Sequence, residues 1–151
     1  MFRDRLLILL SAAFLLCLAG PAPVSHAQTK DDDIIKGEAT VIDAGTLQIG
    51  DKVVKLDGVI TPGARQKCLK GSLPWLCGAA ARSHLVNLVQ DRVVQCLKSN
   101  SYHARCFAGG FDLAQNLVRN GWAVPSKSGI IYQDAESAAR REKLGMWQHV
   151  N

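Results

Sequence analysis

Two segments of this 151-residue chain gather side chains that could do chemistry: Val41-Ile42-Asp43-Ala44-Gly45-Thr46-Leu47 and Val54-Lys55-Leu56-Asp57-Gly58-Val59-Ile60-Thr61-Pro62-Gly63. Thr46 and Thr61 offer hydroxyl oxygens and Lys55 a cation. A hard divalent ion such as calcium takes about 6 to 8 oxygen ligands, mostly carboxylate. Metal-assisted phosphodiester hydrolysis uses such an ion as Lewis acid or as activator of a water. Neutral hydroxyls alone would hold it weakly, and Gly45, Ile60 and Gly63 supply neither a side-chain oxygen nor a proton acceptor. No metal and no cofactor are expected.

No second chemistry stands in for it. There is no Ser-His-Asp pattern, G-x-S-x-G elbow or phosphate loop. His84 is expected on a solvated helical face, His103 in a hairpin and His149 in the last residues, so the three are not expected to converge. Asp31-Asp32-Asp33 stands beside Gln28, Thr29 and Lys30 and reads as a solvated tail rather than a metal loop.

Residues 1–27 read as a secretory signal peptide, with Arg3 and Arg5 ahead of the apolar run Leu6 to Leu18 and a small-x-small site at Ser25-His26-Ala27. That run is too short to span a membrane. Cys17 follows Leu15-Leu16 without the small residue a lipidated cysteine needs, so a lipoprotein is the weaker reading. Cleavage after Ala27 leaves one domain's length, read as a flexible tail over 28–36 and a folded domain over 37–151. Loss of Arg3, Arg5 and Asp4 takes the formal net charge from +5 to +4, which permits polyanion contact without demanding it.

Cys17 leaves with the leader, and Cys68, Cys77, Cys96 and Cys106 form an even set in a chain bound for an oxidising compartment. Four cysteines permit three pairings, and the sequence does not choose among them. Proximity favours Cys68 with Cys77 and Cys96 with Cys106, each closing a short loop worth roughly 3 kcal/mol in the chain-entropy model. Paired C-x-x-C spacing is absent, which argues against zinc.

The elements that must position these residues follow from periodicity. Gly37 to Ile42, Thr46 to Ile49 and Lys52 to Leu56 are β-rich runs separated by Ala44-Gly45 and Gly50-Asp51, a three-stranded meander. A loop from Gly58 to Leu76 leads to a helix over Ala79 to Gln90 with Ala81, Leu85, Leu88 and Val89 on one face. Trp75 and Leu76 are expected to plug the barrel end or the helix base. Arg92 to Leu97 and Tyr102 to Ala108 flank a polar connection; a Cys96–Cys106 pair would centre it on Ser101 and make it about five residues. Asp112 caps a second helix with Gln115 three residues on, Gly121 ends it, and Gln133 to Leu144 forms a third with Ala135, Ala138 and Ala139 as its apolar side.

The two opening segments resemble motifs of the staphylococcal nuclease (thermonuclease) family, which read V-I-D-G-D-T-L and V-R-L-x-G-I-D-x-P-E. Further, weaker matches in the same order are Gln66-Lys67-Cys68, Trp75-Leu76-Cys77-Gly78-Ala79-Ala80, Gly110-Phe111-Asp112-Leu113, Leu117-Val118-Arg119-Asn120-Gly121-Trp122-Ala123, Tyr132 with Ala135-Glu136, and Ala139-Arg140 before Gly145-Met146-Trp147. The resemblance covers Gly37 to Trp147. It implies an α+β fold, a five-stranded OB-fold barrel with about three helices.

In that family the second aspartate of the first motif and the aspartate of the second bind calcium, the glutamate is the general base and the arginine grips phosphate. Those places hold Gly45, Ile60, Gly63 and Lys55 here. Secreted members carry D-x-Y-G-R-x-x-A-x-C between the fourth and fifth strands, where the arginine is a second phosphate-binding cation. The stretch from Cys96 to Cys106 is shorter: matching Tyr102 puts Ala104 at the arginine position, and matching Cys106 leaves Arg105 out of step. The bidentate fork that suits phosphate is lost. Thr46, Lys55, Thr61 and Arg105 are therefore the residues expected to border a vestigial pocket.

The reading is a secreted or periplasmic, catalytically inactive family member acting as a binding or structural module. The alternatives are a weak calcium-dependent endonuclease and an accessory protein of exopolysaccharide production. OB barrels bind single-stranded nucleic acids or saccharides on a strand face, but stacking platforms need aromatics, and the strands offer Tyr102 and Phe107 and little more. An envelope polymer or protein is at least as credible a partner as nucleic acid, and a monomer is expected.

Overall fold

A computed structural model describes residues 33–148. Residues 1–32, which include the expected signal peptide and most of the expected tail, and residues 149–151 with His149 lie outside the described residues. Strands β1 (Ile34–Asp43), β2 (Thr46–Ile49) and β3 (Lys52–Leu56) form the antiparallel meander. After them come two-residue β4 (Val59–Ile60), a small hairpin of β5 (Cys68–Lys70) and β6 (Leu73–Trp75), and helix α1 (Cys77–Val89). Strands β7 (Val93–Lys98), β8 (His103–Ala108) and β9 (Phe111–Asp112), helix α2 (Leu113–Arg119), β10 (Val124–Pro125) and helix α3 (Gln133–Arg141) complete the order.

The long β1 pairs with β2 on one edge and with β7 on the other, β7 pairs with β8, and a short parallel contact of β3 with β8 closes the ring. The result is a closed, mixed five-stranded barrel with three helices, an α+β OB-fold-like architecture. Inward positions alternate along the strands: Val41, Leu47, Ile49, Val54, Leu56, Val94, Cys96, Ala104 and Cys106 are buried. Leu85 and Val89 of α1 and Leu113, Leu117 and Val118 of α2 continue that core. Closure abolishes the free edges that β3 and β8 would otherwise present there.

Both disulfides pair locally, Cys68 with Cys77 and Cys96 with Cys106. Cys96 lies opposite Cys106 in the β7–β8 register, and the connection runs over the five residues between Lys98 and Ala104. Asp112 caps α2 by accepting the Gln115 N–H at 3.1 Å. Gly121 ends that helix with φ +73°, a conformation that favours glycine. No helix among the described residues is long and apolar enough to cross a membrane.

Four expectations need correction. The strand starts at Ile34 rather than Gly37, because Ile34, Ile35 and Lys36 pair with Leu97, Cys96 and Gln95; the 28–36 tail therefore loses its last three residues to the barrel. The segment from Gly58 to Leu76 is not a plain loop: β4 pairs with β10, and β5 pairs with β6 across strands too short for periodicity to register. Trp75 meets Trp122 edge-on at 6.1 Å, but Leu76 is 51% exposed and plugs nothing. The third helix stops at Arg141, since Lys143 turns to φ +51°.

Candidate functional site

A pocket of about 210 Å³ opens where the β1–β2 turn meets the end of β3, the segment through β4 to Gly63 and the start of β8. Strand pairing lines up its polar wall. Thr46 of β2 lies opposite Lys55 of β3, and Lys55 lies opposite His103 of β8, so a hydroxyl, an ammonium and an imidazole follow one another across three adjacent strands. Asp43, Thr61 and Gly63 also line the pocket.

Local hydrogen bonds commit several of these groups to holding the walls. Asp43 Oδ1 accepts the Gly45 N–H at 2.8 Å, the side-chain-to-backbone turn aspartate favours. The Leu56 N–H donates to the Gly45 carbonyl at 2.8 Å, tying the turn to β3. Gly63 donates its N–H to Gln66 Oε1 at 3.2 Å and accepts the Gln66 N–H at 2.8 Å. Asn100 Oδ1 accepts the N–H groups of Tyr102 and His103, both at 2.9 Å, and lies 3.3 Å from His103 Nδ1. An amide oxygen only accepts, so a hydrogen bond at this last contact requires the proton on Nδ1. Below this hairpin a hydrogen bond from Ser99, aided by Gly58, Ser128 and His103, holds the Asp57 carboxyl below its ordinary range.

The pocket thus collects Thr46, Lys55 and Thr61 from the predicted set and leaves out Arg105. Arg105 turns instead to Asp112, donating from Nε to Oδ2 at 2.7 Å, with its guanidinium 5.3 Å from the Phe107 ring centroid. The cause is β9, whose return along β8 sets Asp112 opposite Phe107. Asp112 Oδ2 also accepts the Tyr132 hydroxyl at 3.0 Å. Burial, and then the neighbouring Asp112 carboxylate, push the Tyr132 phenol up to about 12, while the Asp112 contact keeps Arg105 more firmly charged.

One further placement differs from expectation. His84 is half-buried rather than solvated: its Nε2 lies 3.0 Å from Asn116 Oδ1 and its ring 6.1 Å from Trp122. Ile60 sits on β4 with 59% of its surface exposed and does not line the pocket. Sequence reasoning missed His103 as a pocket residue. The sequence reading placed it in the hairpin between the Cys96 and Cys106 strands, but the parallel closure against β3 is a long-range contact that no local pattern announces. The carboxylates of the described residues make no group of three or more with His or Cys that could hold a metal ion.

No family model matches the chain. It is similar to the succinoglycan biosynthesis protein ExoI of Rhizobium meliloti (strain 1021), with 29% identity over 124 residues, an alignment that takes in 76% of this chain and 65% of the relative. The chain therefore spans a little under two thirds of that protein's length.

Proposed function

We propose that this chain is an exported, noncatalytic member of the staphylococcal nuclease-like family that serves as an accessory binding module in exopolysaccharide production. The observation that carries the reading is the likeness to a succinoglycan biosynthesis protein over most of this chain. The pocket supports it from the other side. Lys55, Thr46, Thr61 and His103 provide a cation and hydrogen-bonding groups suited to polar, oxygen-rich ligands, and the positions of the family's metal ligands and base hold Gly45, Ile60 and Gly63. Two formed disulfides suit an oxidising compartment outside the cytoplasm.

The test is deletion of the gene in its producing strain, with exported polysaccharide measured for yield and chain length and the culture fluid assayed for calcium-dependent nuclease. The expected result is an altered polymer with unchanged nuclease, restored by the wild-type gene and poorly by Lys55→Ala. An unchanged polymer together with a fall in nuclease activity would overturn the proposal.

A further inference from the structure

The β5–β6 hairpin combines features that the barrel has no use for. Leu69, Leu73 and Leu76 are 65%, 71% and 51% exposed, so three large apolar side chains project from one short segment. Arg65, Lys67 and Lys70 are exposed around them and take part in none of the ion pairs among the described residues. No aspartate or glutamate occurs between Asp57 and Asp91. The register sets Leu69 opposite Pro74 and Leu73 opposite Lys70, so the two tip leucines leave opposite faces of the hairpin. Scattered exposed leucines are ordinary, whereas a tip apolar on both faces and rimmed by charge of one sign marks a contact surface that can be inserted.

The hairpin is also held rigid at its base. Strands of three residues are too short to persist alone. Here the Cys68–Cys77 disulfide joins the hairpin to the first residue of α1, the Gly78 N–H reaches the Gln66 carbonyl at 3.3 Å, and Trp75 lies edge-on to Trp122 at 6.1 Å. A fixed base thus presents a tip, Leu69 to Leu73, that touches no part of the buried core.

We propose that this stapled hairpin is a peripheral docking element for a lipid surface bearing anionic headgroups. A soluble acidic polymer would engage the cations and leave the leucines in water, and a protein groove for the leucines would not require an acid-free belt. A bilayer interface satisfies both sets at once: leucines at the acyl boundary, lysine and arginine heads at the phosphates, with their stems lying along apolar surface. Neither signal suffices singly, so attachment is reversible and depends on both. The inference is independent of the polysaccharide role and goes beyond it.

The experiment uses the protein purified after export, disulfides intact, sedimented with phosphatidylcholine vesicles containing about one third phosphatidylglycerol and with phosphatidylcholine alone, at about 0.15 M salt. Binding is expected to the first and not to the second. The double variant Leu69→Ser with Leu73→Ser, whose sites lie on the exposed tip, should keep its circular dichroism and lose affinity by roughly tenfold or more, the loss that about two buried methylenes represent. Lys67→Gln with Lys70→Gln should weaken binding and flatten its salt dependence. No sedimentation of the wild type even at low salt refutes the proposal. So does a leucine variant that binds as well as wild type, since the hairpin would then be a plain cationic surface for a soluble polyanion. A wild type that binds both vesicle types equally refutes it as well.

Discussion

A side-chain Cβ on Gly45 would stand 2.7 Å from Thr61 Oγ1, so the β1–β2 turn packs closely against the side chain of the segment after β4. Real Cβ atoms do not approach that closely, and the hydroxyl of Thr61 fills the space a carboxylate at position 45 would enter. The resemblance to nucleases puts a calcium-binding aspartate at that position. The first prediction is that the purified protein cleaves neither DNA nor RNA with added calcium, and that Gly45→Asp with Ile60→Asp and Gly63→Glu gains no calcium binding measurable by calorimetry, because Thr61 crowds position 45 and Ile60 lies outside the pocket. Calcium-dependent digestion that disappears in Thr46→Ala or Lys55→Ala would refute the prediction.

Asp112 serves three partners with two oxygens: the Gln115 N–H, Arg105 and the Tyr132 hydroxyl. Its side chain is 5% exposed while that of Arg105 is 46% exposed, so the Arg105 contact is screened and contributes little. Loss of the cap costs about 1 kcal/mol, and a buried tyrosine hydroxyl left without a partner about 1–3 kcal/mol more. Asp112→Ala should therefore lower stability in urea unfolding by about 2–4 kcal/mol. A loss under about 0.5 kcal/mol would mean that water or another acceptor replaces the carboxylate.

The Tyr132 phenol is raised from its ordinary 10.0 to about 12, by burial first and by the Asp112 carboxylate next. The unfolded chain releases this proton first as pH rises. The contribution to stability is accordingly present below pH 10 and is lost as pH climbs towards about 12. Wild type should lose more stability over that window than Tyr132→Phe, which has no proton to release. Parallel curves for the two proteins would show that other groups govern alkaline unfolding.

The meander was legible because Ala44-Gly45 and Gly50-Asp51 interrupt alternating runs, and Asp112 was legible as a cap because its partner Gln115 is local. The long-range contacts were hidden for the opposite reason. Arg105 looked available to the pocket because β9, two residues long, gives no periodic signal, yet it delivers Asp112 to the guanidinium. His84 has the flanking Arg82 and Asn87 of a solvated face, and only the arrival of α2 supplies Asn116 and half-buries it. Lys55 and His103 become neighbours through the parallel closure of β3 on β8, a contact between residues far apart in sequence.

The two disulfides close loops of similar length, with sequence separations of 9 and 10, so the chain-entropy argument gives each about 3 kcal/mol. Burial separates them. Cys96 and Cys106 are fully buried in the barrel core, whereas Cys68 is half-buried on an outer hairpin. Mild reductant should open Cys68–Cys77 first, followed by differential alkylation and peptide mass mapping. Cys96→Ala with Cys106→Ala should cost more stability than Cys68→Ala with Cys77→Ala, because it also leaves core volume unfilled. Equal rates of reduction would show that the barrel opens as readily as the hairpin.

The last prediction concerns nucleic acid at the pocket. Lys55 is its ammonium and His103 its imidazole, while Arg105 is turned away to Asp112 and the Asp43 carboxylate sits on the same wall. Affinity for single-stranded polyanions rises with the number of phosphates neutralised, and each contact adds roughly 0.7 to the slope of log affinity against log salt. A pocket with one lysine should therefore give a slope of about 0.7, and stacking adds little because no phenylalanine, tyrosine or tryptophan lines it. Fluorescence anisotropy with labelled oligothymidine should show weak binding at low salt that vanishes near physiological salt. Cations of the β5–β6 hairpin can add adsorption of their own, so Lys55→Ala and Lys67→Gln with Lys70→Gln are compared side by side. Tight binding at physiological salt that falls sharply in Lys55→Ala alone would make the pocket a nucleic-acid site and displace the polysaccharide reading; loss in the hairpin variant alone would place residual polyanion contact outside the pocket.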